Sequence, residues 1–190
     1  MTNPASRTLN YGVGATFGAV MVFCVALLFG QPEESTNGPN PDLERGTTEQ
    51  IRMILIGSSA CGAQRNEDLR EAIEAAKRDL AERFTGEGKQ FASTGVALDW
   101  RIEDGLEFLG AFGEFDEVIV GGNWLNAGAV RYIWRDFPGA STVPQVVVLK
   151  RSVTVSSSTI SVGEEELLAR LAGTEQVMKW VDLGAPIAHQ

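Results

Sequence analysis

From Tyr11 to Gly30 the chain reads YGVGATFGAVMVFCVALLFG, twenty residues without a charge or a proline. Wound as a helix, such a run matches the roughly 30 Å hydrocarbon core of a bilayer. A helix apolar on every side has no solvated face to give a small soluble domain. The stretch therefore divides the chain, and the residues after it must fold as a unit of their own. A cleaved signal peptide is the competing reading, with a shorter apolar stretch ending in a small-x-small site. Here the run closes Leu-Leu-Phe-Gly-Gln-Pro, and Val22-Phe23 is a poor lead into a lipid-modified Cys24. The sequence predicts an uncleaved, single-pass transmembrane helix over 11–30. Arg7 and no acid precede it, whereas Glu33 and Glu34 come after it. The positive flank stays in the cytoplasm. Residues 1–10 are thus expected inside, and the rest outside the inner membrane, in the periplasm of a bacterium.

Gly14 and Gly18 stand four apart in that run, beside Ala15 and Ala19. Small residues at this spacing let a second membrane helix approach closely, although Gly and Ala are also simply common in membrane helices. Another membrane-protein subunit is the expected neighbour. Cys24 reads as a small apolar residue of the same helix.

Residues 31–48, QPEESTNGPNPDLERGTT, have no apolar period and read as a linker. Regular patterning then begins. Apolar runs predict strands over 51–56, 96–100, 117–120, 145–149 and 153–160. Helical spacing of Leu69, Ile73, Ala76, Leu80 and Phe84 predicts a long helix over 66–84, with shorter ones over 103–112, 127–137 and 164–171. The alternation predicts an α/β domain over 49–172: an open mixed sheet with helices on both faces and an antiparallel edge. The tail, 173–190, carries Val177, Met178, Trp180, Val181 and Leu183. It is too apolar for a free end, so it either packs on the domain or reaches a partner.

Sixteen basic against twenty-five acidic residues give a net charge of −9. With no basic cluster, nucleic acid is a poor partner. Two cysteines and one histidine, His189, offer no disulfide framework and no zinc spacing. No metal and no cofactor are expected.

One stretch carries chemistry. Ser58-Ser59-Ala60-Cys61-Gly62-Ala63-Gln64-Arg65 sits between the first strand and the long helix, and Thr142-Val143-Pro144-Gln145 leads into a late apolar strand. This arrangement resembles the thioredoxin-like fold family over about residues 50–172. The resemblance implies a cis bond before Pro144, with the backbone at Val143 open to an extended peptide, and it places Cys61 on the nucleophile of a Cys-x-x-Cys motif. Gln64 then occupies the position of the resolving cysteine, Ala60 that of the preceding tryptophan and Leu55 that of the buried acid. A shifted alignment would leave Cys61 as the resolving residue alone. Dithiol exchange needs a second thiol to release the mixed disulfide, and Gln64 cannot serve. A helix N-terminus at Cys61 would still favour thiolate, so monothiol chemistry stays open. Trp100, Trp124 and Trp134 are candidates for either a binding face or the core, and Trp124 and Trp180, with Val143, are the candidate partner contacts.

The expected function is that of a non-catalytic accessory or structural subunit of a larger membrane complex, with respiratory, photosynthetic and cytochrome-assembly complexes as possible hosts. Two alternatives stand beside it: a membrane-tethered monothiol oxidoreductase using Cys61, and a periplasmic peptide-binding assembly factor using the Pro144 edge.

Overall fold

The computed structural model describes residues 46–187. The helix expected over 11–30, with Gly14, Ala15, Gly18, Ala19 and Cys24, lies outside them. Among the described residues no helix is long and apolar enough to cross a membrane.

Strand β1 (Gly46–Gly57) is the centre of a six-stranded mixed sheet, followed by α1 (Glu67–Gly86) and β2 (Gln90–Ala97). Next come α2 (Ile102–Gly110), β3 (Glu117–Ile119) and α3, which starts over Ala127–Ala129 and continues as a π-helix over Val130–Arg135. The chain ends with β4 (Gln145–Val155), β5 (Ile160–Val162), β6 (Glu166–Ala172) and α4 (Thr174–Asp182). The strand order is β3-β2-β1-β4-β5, with β6 also pairing β4. β1, β2 and β3 run parallel, and β4 runs antiparallel to β1. β5 and β6 lie along the far side of β4, at its two ends.

Alternation along the central strands feeds two cores. Ile51, Met53 and Leu55 of β1 join Val146 and Val148 of β4 beneath α1, α2 and α4. Ile54 and Ile56 join Val147 and Leu149 beneath α3, where Tyr132 and Ile133 are buried. A strand covered on both faces has no polar side to show, which is why Met53–Ile56 is continuously apolar. Helix α1 buries Leu69, Ile73, Ala76, Leu80 and Phe84, the residues whose spacing identifies it. Burial of each of the larger side chains stabilises by about 1.5–3 kcal/mol. Asn66 accepts from the Leu69 N–H at 3.0 Å and fixes the start of the helix.

The structure corrects several boundaries and one element type. The helix expected over 164–171 is the strand β6, with Val146 opposite Leu171 and Val147 opposite Arg170. Glu-Glu-Leu-Leu-Ala-Arg-Leu has good helical propensity, but one row of β4 backbone groups needs partners, and sheet pairing overrides propensity. The two strands expected over 145–149 and 153–160 include one unbroken strand, β4, which runs through Lys150-Arg151-Ser152 to Val155. β2 ends at Ala97, where β1 ends beside it at Gly57, so Leu98–Trp100 is loop and not strand. The apolar tail packs on the domain: Val177 and Trp180 of α4 lie in the same core as α1, and Arg83 of α1 donates to the Gly184 and Ala185 carbonyls.

Candidate functional site

Parallel strands deliver their following loops to one end of the sheet. β1 and β2 end there at Gly57 and Ala97, and Gln145, the first residue of β4, pairs with Ile56. This register brings the Cys61 loop, the Asp99 loop and the Val143–Pro144 bond to the same sheet end. Gly57 is required at the exit of β1, since a Cβ there would stand 2.3 Å from Cζ of Phe108 on α2.

The loop itself is two tight 3-10 turns, Ser59–Cys61 and Ala63–Arg65, hinged on Gly62. Gly62 has φ +68°, a conformation that costs glycine little. Asp99 clamps the first turn. Its carboxylate accepts from the Ser59 hydroxyl at 2.5 Å, from the Ser59 N–H at 3.3 Å and from the Ser58 hydroxyl at 3.3 Å. Ser58 in turn accepts from the Ala60 N–H. Gln64 donates to the Ser59 carbonyl at 3.1 Å, tying the second turn back to the first.

Cys61 is exposed. Its Sγ lies 2.8 Å from the Ser58 carbonyl, to which the S–H donates. A carbonyl accepts a hydrogen bond and has none to give, so it offers a thiolate nothing. The expected helix N-terminus at Cys61 is also corrected. α1 starts at Glu67, beyond both turns, and its first turn carries Glu67 and Asp68. The dipole that would favour a sulfur anion falls off within a turn and is met by carboxylates instead. Gln64 has its amide engaged with the loop backbone and brings no sulfur. Leu55 is buried in the core, and Ala60 is exposed. The resulting site presents one exposed thiol that donates to the Ser58 carbonyl, with an amide, Gln64, at the motif position of a second sulfur.

The Val143–Pro144 bond is cis. Pro144 is buried and its carbonyl accepts from the Gly173 N–H at 2.8 Å, while Val143 packs against the core under α3. Gln145, fully buried, donates to the Ala140 and Thr142 carbonyls and accepts from Arg170. Burial pushes the Arg170 guanidinium below its usual range. It nonetheless holds the Tyr132 and Phe137 carbonyls at 2.8 Å. The approach to Pro144 is thereby braced from inside.

The tryptophans separate. Trp180 is 5% exposed, and its indole N–H donates to the Pro186 carbonyl. It belongs to the domain's own core, which corrects its reading as a partner contact. Trp124 is half-buried and tilts against Trp134 at 5.9 Å between ring centroids. Trp100, next to Asp99, is 71% exposed. Nearby positions on the chain, Ile102, Leu106 and Leu125, are also exposed.

Two clusters escape a sequence reading. Asp99 is one, hidden because Val96–Trp100 reads as strand; an acid following Leu98 at the end of an apolar run, with two serines in the loop after the neighbouring strand, is the signal that exposes it. The other is a buried charge network on the α3 face. Arg52, 2% exposed, contacts Glu117, Thr94, Tyr132 and Glu165. Glu165 also takes Arg131 at 2.9 Å and Arg151 at 3.3 Å. Burial, and then the neighbouring Arg52, push the Arg151 guanidinium below its usual range, with Glu165 and Glu117 opposing. Among the described residues, no group of His, Cys, Asp and Glu side chains could hold a metal ion.

No family model, no curated protein and no solved structure matches the chain.

Proposed function

We propose that this chain is an accessory subunit of a larger membrane assembly, anchored by residues 11–30 in the inner membrane. In this reading the extracytoplasmic domain is thioredoxin-like in plan but contributes contacts, not thiol exchange. The plan is supported by a parallel β1–α1–β2 unit, the antiparallel β4 and β6, α1 and α4 on one face and α3 on the other, with α2 and β3 as additions. One observation carries the functional part: the Cys61 thiol rests on the Ser58 carbonyl, outside the first turn of α1, with Gln64 where exchange would need a second sulfur.

The exposure of Cys61 favours one rival, a monothiol oxidoreductase resolved by a small external thiol. The two separate in an assay of the full chain in nanodiscs, with glutathione and a model disulfide substrate. The expected rate equals the background without protein. A protein-dependent rate that disappears in Cys61→Ser would establish the rival.

A further inference from the structure

We draw no further inference here: the strongest candidate, the aliphatic face that Val153 and Val155 of β4 form with Ile160 and Val162 of β5, is an unpartnered surface patch, and nothing in the structure shows what covers it.

Discussion

At the scale of single residues, the clamp around Cys61 is a better guide than the sulfur. Asp99 meets three donors from Ser58 and Ser59, so Asp99→Ala leaves two hydroxyls and a part-buried N–H without their acceptor. Groups stranded in this way cost about 1–3 kcal/mol, and chemical denaturation should register a loss in that range. Cys61→Ser should change stability by less than about 0.5 kcal/mol, as for most exposed positions, because a hydroxyl can donate to the Ser58 carbonyl as the thiol does. Glu165 is the residue on which most charge depends. It is 5% exposed at its side chain and touches Arg52, Arg131 and Arg151. Glu165→Ala leaves Arg52 buried beside Arg151 with Glu117 as its remaining carboxylate contact, and the expected loss is about 3–5 kcal/mol. Glu165→Gln keeps an acceptor and should lose less. Urea denaturation of the three proteins at neutral pH checks the order.

At the scale of elements, the sequence is legible wherever local pattern decides alone. α1 is legible because five buried residues repeat at helical spacing and Asn66 caps them. The apolar run of β1 is legible because both its faces are buried. β6 is not, because Glu166–Ala172 takes its conformation from an edge of β4 that lies in another part of the sequence. The unbroken β4 is hidden for a related reason: Lys150, Arg151 and Ser152 look like a break, yet Arg151 donates to Gln50 and answers Glu165 across the sheet. Of the site, the Cys-Gly-Ala-Gln spacing is visible in the chain, while Asp99 and the π-helical course of α3 depend on tertiary neighbours. α4 tests the element scale directly. Trp180→Ala removes a buried ring between α4 and α1 and should cost about 3–5 kcal/mol. Leu183→Ser, at a position 66% exposed, should cost nothing measurable by the same thermal melt.

At the scale of the whole molecule, the chain joins an apolar N-terminal run, an acidic domain and a face of that domain left bare. Three features bear on the proposed subunit role: an apolar sequence run over 11–30 with small residues four apart, an exposed thiol with Gln64 at the motif position of a second sulfur, and the exposed aliphatics Ile160 and Val162. The most direct measurement is the mass of the complex released from native membranes by a mild detergent, for the wild-type chain and for Cys61→Ser. A subunit role predicts a heavier assembly with a fixed ratio of this chain to its partner, the same for both proteins. A monomer in every such preparation, or an assembly that forms only when the thiol is present, would contradict it.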